Sequence, residues 1–410
     1  MLRDYYARAM AVAAVMIFFT SLSLYLFSAE FVSFPPLYWM IVFGVAAAPV
    51  CLSLRSALAV RHSLLARWCY GFLMISSLWL MFQPSPSETV WQEFQTRVLS
   101  VLFVLTLICV FSSDGAQLWA RRATLFAVLA AVALNLYELF NPLSFSTVMG
   151  RSAGLYMNPN QCAVALILGM VISLGLLPHR YRVLFAALVG LGVLLTLSRS
   201  AAIGWFITIF ALIKAGQISL RRSILIGCTL ITVTFAAVAW QWDGIEHRLE
   251  DIGVLNPNTA MRLDWFNSMD ASDFSATERK QVAELGWEMF SDSPLFGHGV
   301  GASIDWSYER SSHNEYLNMM VDHGIAGFFI LPLLALATVW RARGEARQIS
   351  FAFTAFILYF GFFSHNILNE RPVLMAFALL SSMVMSSRGG QAHAERSQNE
   401  SRTYYHCFAR

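Results

Sequence analysis

The sequence predicts an all-α polytopic membrane protein of about twelve transmembrane helices with both termini cytoplasmic. Three observations carry that reading. The 410 residues are 57% hydrophobic and only 13% charged, with a mean hydropathy of +0.57. Apolar runs repeatedly approach the ~20 residues that cross a bilayer, and no β-barrel alternation is present. Arginines recur at every second connection between those runs, the pattern that sets orientation. A net charge of +3 is too small to imply a nucleic-acid partner.

Taken in order, spans are expected near Ala9–Phe27, Phe34–Leu54, Leu65–Phe82, Val98–Phe111, Ala123–Phe140 and Gln161–Leu177. They continue at Val183–Leu197, Ala201–Ile213, Ser223–Trp240, Tyr316–Trp340, Ile349–Phe363 and Pro372–Ser386. The basic start (Arg3, Arg8) resembles a signal peptide, but the spans behind it favour an uncleaved first helix. Val183–Ile213 is apolar except at Ser198-Arg199-Ser200. As one helix it would be about 46 Å long, beyond a typical hydrocarbon core. Its basic flanks require two crossings, so the triplet is read as a break between short helices. The segments divide as residues 1–240 with the first nine helices, a large loop at 241–312, the last three helices at 313–387 and a tail at 388–410 expected to be disordered. Within the loop, Glu278–Phe290 has helical periodicity and is expected to lie over the membrane surface. The six cysteines have neither metal nor disulfide spacing and read as small core residues.

The chemistry-bearing residues gather on the outer, non-basic face. Ser293–Gly327 opens as a turn with Gly297, Gly299 and Gly301 alternating. It ends as a helix N-terminus, where Ser312 and Glu315 are expected to form a capping box with His313 and Asn314 in the first turn. Unpaired N–H groups there attract anions and favour a neutral imidazole, so His313 reads as a general base or as a surface residue beginning a helix. Arg199 reads as functional or as a snorkelling anchor, since arginine inside a bilayer costs roughly 2.5–3.5 kcal/mol. Arg151, Arg262, Arg279 and Arg371 join it on this face, and the last outer loop adds His365. The spans look almost free of Asp and Glu, Glu138 being the nearest exception, which counts against an ion-coupled transporter. Arginines without a metal motif suit an anionic, membrane-borne ligand such as a lipid diphosphate. Asp270 and Asp273 read as a metal-type pair or, more simply, as loop solvation.

Three blocks resemble the O-antigen ligase/polymerase superfamily of bacterial envelope glycosyltransferases. They are RSAGLYMNPN at Arg151–Asn160, LSRSAAIG at Leu197–Gly204, and the run from Arg279 through Pro294–Gly299 to His313-Asn314 and Gly324-Ile325-Ala326-Gly327. The family's usual aromatic just after the loop arginine is Val282 or Ala283 here. The resemblance implies a GT-C-like protein of the inner membrane that needs no cofactor or metal. It implies inverting transfer, on the periplasmic side, of a glycan from undecaprenyl diphosphate to lipid A–core oligosaccharide. A polymerase, or an oligosaccharyltransferase acting on protein, shares nearly the same signature; a lipid-linked glycan transporter is the non-enzyme alternative. Carried over, Arg199 and Arg279 hold the donor diphosphate, His313 is base or acceptor-orienting group, and Arg151 shapes the donor side. Asn160 and Asn314 belong to the same motifs, while Arg262, Arg371 and His365 are added from position.

Overall fold

The computed structural model describes residues 2–222, 274–305 and 312–388, with the side chains of 274–279 left aside. Among the described residues the chain is helical and has no strand. Helix α1 (Leu2–Ala14) runs through a π turn into α2 (Leu22–Ser28) with a bend of 49°. Helix α3 (Pro36–Cys51) meets α4 (Leu54–His62) at 106°. Helices α5 (Leu64–Phe82), α6 (Glu88–Val110), α7 (Asp114–Phe140) and α8 (Pro159–Ser173) follow. The chain continues as α9 (His179–Leu195), α10 (Arg199–Lys214), α11 (Phe274–Asp292) and α12 (Glu315–His323). It closes with α13 (Ile330–Val339), α14 (Gly344–Phe360) and α15 (371–388).

Local chemistry explains the boundaries. The hydroxyls of Ser53, Ser63, Ser87 and Ser113 accept the orphan amides of Ser56, Ala66, Val90 and Ala116, starting α4 to α7. Those caps put the starts of α6 and α7 well before the apolar runs at Val98 and Ala123, so both helices begin with polar turns. The predicted break holds: α9 ends at Leu195, Leu197 is left-handed (φ 47°), and α10 starts at Arg199. Helices stand at eleven of the twelve expected spans; Ser223–Trp240 lies outside the described residues, as do Asp270, Asp273 and the tail beyond 388. Five described helices are long and apolar enough to cross a membrane, or up to seven if each bent pair is one span. One apolar core joins α1, α6, α7, α8, α14 and α15, with Phe18, Phe353, Phe356 and Phe377 fully buried.

Helix α11 packs against α12. Val282 and Phe290 are buried, and Phe290 joins Leu317, Met320 and Val321 of α12 in a second small core. The turn after α11 then folds onto the end of α12: His298 N–H donates to Val321 O at 2.8 Å and Ile325 N–H to Pro294 O at 2.8 Å. Gly297 (φ 70°) and Gly324 (φ 64°) permit this approach, since a Cβ on Gly297 would stand 2.5 Å from Gly324 N.

The expectation that the spans lack acidic groups is wrong at the centre of this contact. Asp322, wholly buried, pairs with the equally buried Arg97 of α6. Arg97 also donates through Nε to Glu93 Oε1 at 2.9 Å and through Nη1 to His323 Nε2 at 2.8 Å. An arginine can only donate, so His323 accepts at Nε2 and carries its proton on Nδ1. Asp322 further accepts the amides of Gly301 at 3.1 Å and Ser303 at 3.0 Å. Each charge lacks water and meets opposite charge and hydrogen bonds, the condition under which a buried ion pair survives.

Arg97→Leu should therefore destabilise the protein by ~3–5 kcal/mol, because Asp322 would keep a buried charge with no counter-ion. Arg97→Met combined with Asp322→Asn should lose less, since asparagine still accepts from the Gly301 or Ser303 amide. Thermal unfolding of the purified variants in detergent reads both.

Candidate functional site

The site is assembled at one end of the helices, around Glu138 in the last turn of α7. Its buried carboxylate accepts four backbone amides: Phe145 at 3.0 Å, Ser146, Ala153 at 2.7 Å and Gly154 at 3.1 Å. A single side chain thus supplies the partners of a loop that has no regular ladder. Ser152 adds an amide bond to Leu195 O (3.1 Å) and a hydroxyl bond to Asn135 O (3.0 Å). Asn158 then caps α8, whose first residue is Pro159.

This folding delivers Arg151 and Asn160 together. Arg151, buried at 8% exposure, donates from Nε to Thr196 O at 2.8 Å and from Nη2 to Asn160 Oδ1 at 2.9 Å. It ties the first motif to the break that carries Arg199. From the other side, Tyr359 of α14 donates its hydroxyl to Ser200 O at 3.1 Å, and Gly204 lets Phe356 of α14 pack against α10. Arg199 is the first residue of α10, half-buried, beside the carbonyl that Arg151 holds.

The expected capping box is absent. Asn314 is the N-cap of α12, accepting the amide of Leu317 at 3.2 Å, while the Ser312 hydroxyl turns to Asn318. The Glu315 carboxylate does not reach back; it accepts the amide of Ile367 at 3.1 Å, because the loop after α14 needs a buried acceptor there. His313 is consequently outside the helix, in a left-handed conformation (φ 48°), and the helix-terminus argument does not act on it directly. Nor is its imidazole solitary. His313 Nδ1 stands 3.0 Å from His365 Nδ1, with the rings edge-to-face at 4.6 Å.

A bond between two Nδ1 atoms admits one proton, since one nitrogen must donate and the other accept. When both rings are neutral, the donor ring leaves its Nε2 as a base and the acceptor ring carries a proton on its Nε2. The pair therefore offers one basic nitrogen and one N–H, and full protonation of both rings would break it. The two histidines border a cleft of about 70 Å³ together with Asn160, Gln161, Asn366 and Glu370. Glu370 accepts from Gln161 Nε2 at 2.6 Å. Burial pushes its carboxyl up to about 7, with the Gln161 bond and Arg371 pulling the other way.

Of the residues singled out in the sequence, Asn160, His313 and His365 meet in this cleft, and Arg151 reaches it through Asn160. Asn314 starts α12 beside it, and the half-buried Arg371 opens α15 directly after Glu370. Arg199 belongs to the neighbouring break. Arg279 lies in α11 with its side chain outside the described residues, and Arg262 lies outside them altogether. Gln161 and Asn366 were not anticipated, although each directly follows a residue that was. Among the described residues no group of His, Cys, Asp and Glu is arranged to hold a metal ion.

Residues 183–331 match a family model described as O-Antigen ligase. That stretch contains Arg199, Arg279, the glycine turn and His313. No curated protein matches the chain.

The Glu370 shift has a sign that can be measured. A folded-state carboxyl raised to about 7 from the usual 4.5 favours the protonated form. Its contribution to stability is present below about 4.5 and is lost as pH rises through about 7. The melting temperature should therefore fall more steeply between pH 5 and pH 8 (roughly the window of that titration) for the wild type than for Glu370→Gln.

Proposed function

We propose that this chain, whose residues 183–331 match the O-Antigen ligase model, is an O-antigen ligase-like glycosyltransferase of the O-antigen ligase/polymerase superfamily. It moves a glycan from undecaprenyl diphosphate to lipid A–core oligosaccharide without a metal ion. The observation that carries this reading is the His313–His365 pair in the same cleft as Asn160, with Arg151 joining that cleft to the Arg199 break.

The acceptor hydroxyl oxygen attacks the anomeric carbon as the bond to the diphosphate oxygen breaks, so configuration inverts in one step. The hydroxyl proton passes to the basic Nε2 of the histidine pair. Arg199 and Arg279 take up the charge developing on the leaving diphosphate, the work a metal ion does for phosphate charge in phosphoryl transfer. Arg151 and Asn160 shape the donor side, Asn314 holds the turn carrying His313, and Arg262 and Arg371 add positive charge around the donor. In this reading the chain has about twelve spans with both termini cytoplasmic, and the cleft faces the periplasm. In support, Arg55, Arg121, Arg343 and Arg388 gather at the opposite end of the helices.

The test is transfer in vitro with a defined lipid-linked donor and purified acceptors, in the presence of EDTA. His313→Ala should lower turnover by roughly 10²–10⁴-fold, the usual worth of a general base. Arg199→Ala should also abolish transfer while the protein stays folded in the membrane. Full activity of a folded His313→Ala protein would overturn the mechanism. Lipopolysaccharide from a deletion strain separates the related reactions: core alone indicates the ligase, core plus one repeat unit a polymerase, and an unchanged ladder a transferase acting on protein.

A further inference from the structure

Helix α5 is long and apolar enough to cross a membrane, yet only 28% of its membrane window is buried inside the protein. Tyr70, Met74, Leu78 and Met81 are exposed at helical spacing and form one outward stripe. On a spanning helix such a stripe faces lipid. The 19 residues of α5 rise about 28 Å, close to the thickness of the hydrocarbon layer. Its last turn, with Trp79 and Phe82, therefore stands at the membrane boundary, where aromatic rings gather.

The glycine turn after α11 hooks onto this end of α5. Trp79 Nε1–H donates to Phe296 O at 2.6 Å, across 217 residues of sequence. Leu295 and Phe296 point away from the protein at 68% and 70% exposure, and Phe82 at 83%. Behind them opens a cleft of about 440 Å³ walled by Trp79, Phe82, Pro84 and Phe296. Among the described residues, none that lines it is Asp, Glu, Lys or Arg. Of its two polar side chains, Gln83 caps the end of α5 and His298 directs Nε2 to Met289 O at 2.6 Å. A phosphate or a sugar ring needs several donors and acceptors that these walls do not supply. A hydrocarbon chain needs none. The apolar surface is also continuous with the lipid-facing stripe of α5, so it extends a contact that the spanning helix already makes.

We propose that this cleft takes an acyl chain of a phospholipid from the adjoining leaflet, and that Leu295 and Phe296 anchor the glycine turn in the membrane interface. The same turn donates the His298 amide to Val321 O and the Gly301 amide to Asp322. Lipid held here thus steadies the segment that seats α12. The inference rests on the fold alone and does not depend on the transfer reaction.

The test uses the full chain in phosphatidylcholine nanodiscs doped with a phosphatidylcholine that carries a diazirine in the upper part of one acyl chain. After irradiation, mass spectrometry of the wild type should find adducts on Leu295, Phe296 and Phe82 as well as on the α5 stripe. Their yield should exceed that on the exposed Lys280–Glu284 face of α11 at least tenfold. Leu295→Ser combined with Phe296→Ser, two exposed positions, should cut the adducts on Phe82 and the turn at least tenfold and leave the stripe labelled as before. Wild-type adducts confined to the stripe, or equal labelling of the Lys280–Glu284 face, would overturn the proposal even if the double variant failed to fold. Unchanged labelling of Phe82 and the turn in a folded double variant would overturn the anchor. Loss of the turn adducts on adding undecaprenyl phosphate, with the stripe still labelled, would assign the cleft to a polyprenyl chain and overturn the phospholipid.

Discussion

The buried ion pair between Arg97 and Asp322 is the constraint on which the cleft end of this protein rests. It lies where three pieces distant in sequence must meet: α6, the end of α12, and the glycine turn that follows α11. Two charges held away from water would normally oppose folding. Here the carboxylate is satisfied by a guanidinium and two amides, and the guanidinium by two carboxylates and an imidazole. Such an arrangement tolerates little displacement, because any slippage leaves an unpaired charge in a dry interior. It sets the direction in which α12 leaves the turn, and thereby where His313 stands.

A similar device acts on the Arg151 side of the cleft. Glu138 gathers four amides of one loop, and Arg151 spends two of its donors on Thr196 and Asn160. An irregular segment near the membrane must satisfy its backbone within the protein. Using charged side chains for that purpose makes the loop stiff where a ligand would otherwise have to order it, and order already present lowers the cost of binding. Both devices place the polar side chains of the cleft on rigid supports.

The two ends of the molecule divide the arginines between them by environment. At one end they are embedded in hydrogen-bonded frameworks around the histidine pair; at the other they line open clefts beside a helix lying across the bundle.

Composition and arginine periodicity by themselves determined that this is a helical membrane protein, since no other arrangement hides so much apolar surface and satisfies its backbone in lipid. The break at Ser198-Arg199-Ser200, the glycine turn and the motif asparagines were also legible, because turn chemistry and helix length are local properties. The capping box at Ser312 was local too, and it failed because the Glu315 amide donates to Gly361 O, Asn314 caps the helix two residues later, and the Glu315 carboxylate found a buried donor in the 361–370 loop. Only the tertiary structure decided that His313 pairs with His365, that Arg97 meets Asp322, and that Glu138 holds a loop. Each of these joins charged or polar groups through space, and the energy of such a contact depends on burial and on the approach of other elements, neither of which is written in the spacing of residues along the chain.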